Sequence, residues 1–180
     1  MIYLFVAHKK EASIIFKHFT CKRDKTFFKP LYIHEKFLLV LTHTGFTNAK
    51  ESAKELFKLH PPSKNDTLVN FGICAASSQY EIGQFVEVNE LLYDEEYVTL
   101  YETDINNTLR CVLEVQSTPT QTLIDMESYA IYEVAHKHFN TADMHFYKIV
   151  SDYCDPSSIT PSLIDRILQN CSTKLLEKIK

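Results

Sequence analysis

Residues 125–152 read DMESYAIYEVAHKHFNTADMHFYKIVSD, a helical pattern followed by a strand pattern. Ala130, Ile131, Val134 and Ala135 lie three, four, seven and eight positions beyond Glu127, the spacing of one buried helix face. This predicts a helix opening at Asp125 and running to about Phe139. Residues 145–150 then form a short apolar run of strand length that ends at Ser151-Asp152. The same alternation recurs toward both termini. Residues 2–7 (IYLFVA) read as a buried strand, and Ile14, Ile15, His18 and Phe19 repeat at helical spacing after Glu11. Residues 27–33 and 37–42 look like a hairpin, and a helix is expected over 47–60, stopped by Pro61-Pro62. Residues 67–71 form a strand ending at Gly72, followed by a loop of small residues, Cys74 to Ser78. Further strands are expected at 85–88, 97–101 and 109–115, and Thr160-Pro161 starts a last helix. Strands alternating with helices imply an α/β fold: a three-layer αβα domain around a mixed sheet, with residues 1–180 as a single domain.

Composition narrows the functional classes. The 180 residues are 45% hydrophobic and 23% charged, which excludes a disordered or fibrous chain. A net charge of -4 provides no basic footprint for nucleic acid or an anionic membrane surface. The N-terminal apolar run is short and its charges follow it, the reverse of a signal peptide, and no run approaches the ~18 residues of a membrane span. Five cysteines without a CxxC pair suit neither a disulfide framework nor a zinc ribbon, so a cytoplasmic protein with reduced thiols is expected.

Three carboxylates stand where predicted strands end, the place where ligands collect in α/β sheets. Glu11 follows the first strand and shares the apolar face of Ile14, Ile15 and His18. Glu127 shares the buried face of its helix, and Asp152 closes the strand HFYKIVSD. A buried carboxylate without a cation tends to hold its proton, which suits acid–base work. Each also has an ordinary reading: Glu11 and Glu127 as first-turn helix residues, Asp125 as an N-cap, Asp152 and Asp155 as turn caps. His136 and His138 are two apart on a helix and do not face one another, so no metal pair is expected. Cys74 reads as a buried thiol, since no histidine is placed to activate it, and His43 as a strand-end residue.

Several motifs run together in one order: Ala7-His8-Lys9-Lys10-Glu11, Thr44-Gly45-Phe46-Thr47-Asn48-Ala49, Asn70-Phe71-Gly72-Ile73-Cys74-Ala75-Ala76 with Ile82-Gly83-Gln84, Asp125-Met126-Glu127-Ser128-Tyr129-Ala130 and Ile149-Val150-Ser151-Asp152. With them the chain resembles the nucleoside phosphorylase/nucleosidase superfamily, and within it the 5′-methylthioadenosine/S-adenosylhomocysteine nucleosidases. The resemblance implies a central mixed, partly barrel-like sheet and hydrolysis of the N-glycosidic bond of a purine nucleoside. It implies Glu11 as the base that activates water and Asp152 as the acid that protonates the purine, supported by Ser151. Glu127 would hold the ribose hydroxyls with Met126 beneath the sugar, and Gly72, Ala75 and His8 would complete the substrate site. No metal or organic cofactor is implied, and a homodimer is, with Tyr129 and Tyr132 as a candidate contact.

The phosphorylases of this superfamily clamp phosphate with arginines, one of them two positions before the glycine that Gly72 matches; here that position is Asn70. Arg23, Arg110 and Arg166 lie in no matching loop, which favours water as the nucleophile. Aspartate at 152, where enzymes of 6-oxopurines carry asparagine, implies adenine as the base. The chain departs from the pattern at Ala75-Ala76, at Gln84 and at His8, which stands where methionine is common. Members of the resembled family are longer by a few dozen residues, and here the shortening falls between Val88 and Leu123, where residues 113–122 (LEVQSTPTQT) offer no aromatic to stack on a base. A non-catalytic nucleoside-binding scaffold of the same fold, and a phosphorylase, are the alternatives.

Overall fold

A computed structural model describes residues 1–179. In chain order the elements are β1 (Ile2–Val6), α1 (Ser13–His18), β2 (Lys22–Asp24), β3 (Leu31–Ile33), β4 (Phe37–Leu41), α2 (Phe46–Leu59) and β5 (Thr67–Ala75). They continue as β6 (Phe85–Val88), β7 (Glu90–Tyr93), β8 (Glu96–Thr99), β9 (Thr108–Cys111), β10 (Leu123–Asp125), α3 (Ser128–Ala135), β11 (Met144–Asp152) and α4 (Pro161–Lys178).

The eleven strands form one mixed sheet that branches at β5. β1 and β11 flank β5, both parallel to it, with Ile2 beside Thr67 and Met144 beside Leu68. β4 extends the sheet parallel to β1, and β3 and β2 close that edge as antiparallel strands. At its last residue, Ala75, β5 also pairs with Ile124 of β10, and from there a second arm runs through β9, β7 and β8. β1 pairs with β5 only as far as Phe71, while β11 stays paired to it up to Ala75, so β10 takes the edge that β1 has left and the two arms part there.

Alternation along the strands divides the core in two. Tyr3, Phe5, Leu38, Val40 and Leu68 face α2 and α3. Leu4, Val6, Leu39, Val69, Phe71 and Ile149 face α1 and α4, where Ile164, Ile167, Leu168, Cys171 and Leu175 complete the layer. The αβα layering follows directly. α4 starts as read, with Pro161 in its first turn and the Thr160 hydroxyl accepting from the Leu163 N–H at 3.2 Å. Among the described residues no helix is long and apolar enough to cross a membrane.

Several boundaries differ from the sequence reading, each for a local reason. The first hairpin strand is confined to Leu31–Ile33, because Pro30 has no N–H to give a ladder, and the added strand β2 pairs outside it. β5 does not end at Gly72; it runs three residues further because β11 continues to supply hydrogen bonds. Asp125 does not open a helix. It ends the unanticipated strand β10, its carboxylate accepts the Ser128 N–H at 3.0 Å, and α3 starts only at Ser128 and stops at Ala135. Glu11 likewise precedes α1, which begins at Ser13.

Candidate active site

Glu11 lies in the turn that follows β1 and is 3% exposed. Its Oε2 accepts the His8 N–H at 2.7 Å and its Oε1 accepts the Ile73 N–H of β5 at 2.8 Å. The carboxylate can reach mid-strand because residue 72 has no side chain: a Cβ there would stand 2.9 Å from Glu11 Oε1. Burial raises the Glu11 pKa above its ordinary value, while the two backbone donors and the nearby His8 and Lys148 oppose the rise. The group is thereby held nearer neutrality than an exposed glutamate while keeping donors aimed at its charged form.

Glu127 occupies the position just ahead of α3, and its Oε1 accepts the Gly45 N–H at 2.7 Å. Gly45 has φ +102°, a conformation that favours glycine and turns its N–H toward the carboxylate. Burial, and then the neighbouring Asp125 carboxylate, push the Glu127 pKa up to about 7, against the pull of Lys148 and the Gly45 N–H.

Asp152 is delivered by the end of β11, where the register against β5 shifts between Val150 and Asp152. Such irregularities re-aim a side chain at a strand end. Asp152 Oδ2 accepts the Asp155 N–H at 3.0 Å, and Oδ1 lies 2.6 Å from the Ser151 hydroxyl. The Ser151 Oγ also lies 3.0 Å from the Cys74 carbonyl. The one hydroxyl proton of Ser151 thus has two acceptors within reach, the Asp152 carboxylate and the Cys74 carbonyl.

These three acids border one cleft of about 220 Å³, together with His8, Ala75, Met126 and Ser151. Its remaining walls are largely apolar, among them Ile73, Val112, Ile124 and Ile159. Gly72 is the exception among the residues picked from sequence: it lies behind Glu11 and makes room for it without lining the cleft. At the rim His8 Nε2 and Thr44 Oγ1 share a hydrogen bond of 2.7 Å. Val115 and Gln116 of the short 113–122 segment also line the cleft, and Leu113 and Val115 are exposed.

Sequence reasoning missed a buried polar cluster behind the cleft. Lys148, on β11, forms an ion pair of 2.8 Å with Asp125 and donates to Asn70 Oδ1 at 2.7 Å. Asn70 Nδ2 donates in turn to the Phe5 carbonyl at 3.2 Å, so both ends of the amide are engaged. Burial alone would lower the Lys148 pKa, but Asp125 and Glu127 outweigh it and hold the ammonium above its ordinary value. A lysine between Tyr147 and Ile149 in an otherwise apolar strand was the available signal. Arg23, Arg110 and Arg166 are not among the cleft-lining residues. No group of three His, Cys, Asp or Glu among the described residues is arranged to hold a metal ion.

Neither family models nor curated proteins match the sequence. Solved structures do. The S-adenosylhomocysteine nucleosidase of Streptococcus pyogenes, in complex with 5-methylthiotubericidin, superposes with TM-score 0.76 at 15% identity, over 97% of this chain and 93% of that one. The Campylobacter jejuni 5′-methylthioadenosine/S-adenosylhomocysteine nucleosidase gives 0.78 at 12% identity, over 98% and 96%. The futalosine hydrolase of Helicobacter pylori gives 0.77 at 9% identity, over 99% and 96%. Across nearly its whole length, this chain has the fold shared by the methylthioadenosine/S-adenosylhomocysteine nucleosidases and the futalosine hydrolases.

Proposed function

We propose that this protein is a purine nucleosidase that hydrolyses the N-glycosidic bond of an adenine nucleoside of the 5′-methylthioadenosine/S-adenosylhomocysteine type. The observation that carries this reading is the convergence of Glu11, Glu127 and Asp152, from three separate parts of the chain, on one largely apolar cleft. Burying three carboxylates is costly, and a cleft that only packed would not need them.

Cleavage builds positive charge on the ribose and negative charge on the departing base. Asp152 donates its proton to the purine nitrogen N7, so the base leaves neutral, and Ser151 fixes the carboxyl in place. Glu11 accepts a proton from a water molecule as the oxygen attacks C1′, the bond from C1′ to the base breaks, and free base and free sugar result. Glu127 accepts hydrogen bonds from the ribose hydroxyls, and Met126 packs beneath the ring.

Asn70 supports water over phosphate as the nucleophile, because its amide is committed to Lys148 and Phe5. A non-catalytic scaffold is the second reading, favoured by the exposed rim at Leu113 and Val115, which has no aromatic to close over a base. We place the protein in the cytoplasm, in keeping with five free cysteines, and as a homodimer. The ring series Phe46, Tyr93, Tyr129 and Tyr132, with successive centroids 5.0 to 5.6 Å apart, is the candidate contact.

Chromatographic detection of base release from methylthioadenosine, S-adenosylhomocysteine, adenosine and inosine, with and without phosphate, tests the reading. Adenine and free sugar without phosphate are expected. Release only with phosphate makes the protein a phosphorylase, and binding without release makes it a scaffold.

A further inference from the structure

Among the described residues four carboxylates are buried at or beside the cleft, those of Glu11, Asp125, Glu127 and Asp152, and a single cation, Lys148, is buried with them. Lys148 is the one buried cation near enough to offset them, so where its ammonium stands bears on the charge of the carboxylates around it. The Lys148 and Asp125 side chains are 2% and 1% exposed. Asp125 lines the cleft and Lys148 does not.

We propose that Asp125, in the cleft wall, and Lys148, behind it, form a positioning pair that sets the charge carried by Glu127 and Glu11. The inference rests on the nucleosidase reading for the use of those glutamates, though not for the electrostatics. The strand register carries it. Lys148 of β11 sits directly beside Gly72 of β5. The Cβ that Gly72 lacks would lie 3.9 Å from Lys148 Nζ and 2.9 Å from Glu11 Oε1, so ammonium and carboxylate share the space above one glycine. Asp125 is two residues from Glu127 and is fixed on both sides, by Lys148 at 2.8 Å and by the Ser128 hydroxyl at 2.6 Å. A buried pair of this kind adds little stability over apolar packing, which leaves its electrostatic effect on its neighbours as the reason to look for a role.

The ionisable groups that face Lys148 are Asp125 at the end of β10, Glu127 ahead of α3, Glu11 after β1 and the Cys74 thiol of β5. The two members of the pair act on Glu127 in opposite senses: Asp125 favours its neutral form and Lys148 its charged form.

The test is a carbon-13 titration of the assigned Glu127 and Glu11 carboxyls in the full chain, for wild type, Asp125→Asn and Lys148→Met, alongside the pH profile of kcat/KM. Asp125→Asn should lower the Glu127 midpoint by roughly one pH unit, and Lys148→Met should raise both glutamates by a similar amount. The acid limb of the rate profile should move with the midpoints. If Lys148→Met does not fold, Asp125→Asn carries the test alone, since asparagine can still accept from Ser128 and leaves Lys148 on Asn70. A Glu127 midpoint that stays or rises in Asp125→Asn overturns the proposal. The titration needs no substrate: expected shifts without turnover would remove the nucleosidase reading and leave the pair, and turnover without shifts would do the reverse.

Discussion

Replacing Gly72 with alanine adds one methyl group at the point where Glu11 enters β5. Its carbon would lie 2.9 Å from Glu11 Oε1 and 3.7 Å from the carboxyl carbon, well inside ordinary contact for the oxygen. Gly72 does not have a positive φ, so the backbone accepts alanine and the whole effect falls on Glu11. The carboxylate must retreat by about half an ångström or more, at the expense of the 2.8 Å hydrogen bond from the Ile73 N–H. Overpacking of this kind costs about 1–3 kcal/mol. In a chain of this size that lowers Tm by about 2–4 °C per kcal/mol. Displacing the base from the attacking water should cost about 100-fold in kcat/KM. Gly83→Ala is the control. Gly83 has φ +89° and its added Cβ would meet Ile167 Cγ2 at 3.3 Å; neither residue lines the cleft, so the change should lower Tm comparably with base release intact. Thermal melts and initial rates of adenine release on both variants provide the comparison. A Gly72→Ala protein with undiminished kcat/KM would refute the assignment of Glu11 as the base.

Glu11→Gln and Asp152→Asn should each reduce turnover by about 100- to 10,000-fold while the melting transition persists, and wild-type rates in either would end the mechanism. Glu127→Gln tests the raised pKa of Glu127 through stability. The folded carboxyl titrates near 7 against an ordinary 4.5, so ionising it costs the folded state increasingly as pH rises between those values. That cost is about 3 kcal/mol once pH exceeds 7, and glutamine does not incur it. The Tm of Glu127→Gln relative to wild type should therefore climb from about pH 5 to about pH 8; a flat difference would contradict the raised value. At the rim, His8→Met removes the ring that meets Thr44 and should move the ratio of kcat/KM for methylthioadenosine over adenosine upward by about tenfold. An unchanged ratio would remove His8 from the substrate site.

Glu11, Glu127 and Asp152 were legible because each follows or closes a run whose periodicity marks an element end, and ends are where side chains can enter a cleft. The three-layer order was legible for the same reason. What eluded the sequence was long-range pairing. Asp125 looks like an N-cap, and its carboxylate does accept from Ser128, but β10 exists because β9, over Leu109–Cys111, and Ala75 of β5 are there to pair with it. Gly72 reads as a strand end, yet β11 carries β5 past it, and only the approach of Glu11 Oε1, 2.9 Å from the missing Cβ, reveals why glycine is needed. Lys148 itself carries no local sign of its partner, which lies 23 positions earlier on a strand that periodicity does not announce.

The branching of the sheet at β5 has a kinetic consequence. β5 gathers strands from the start of the chain and from near its end, with Ile2 beside Thr67 and Leu68 beside Met144, and parallel neighbours cannot be reached through a tight turn. Such long loops must close before their contacts can repay them, so these pairings form late in folding. The cleft needs all of them, because Glu11 leans on the middle of β5 and Asp152 arrives only with the last strand. A partly folded chain can own either half of the sheet and still have no complete cleft, which makes the assembly of the cleft a stricter report of complete folding than secondary structure is.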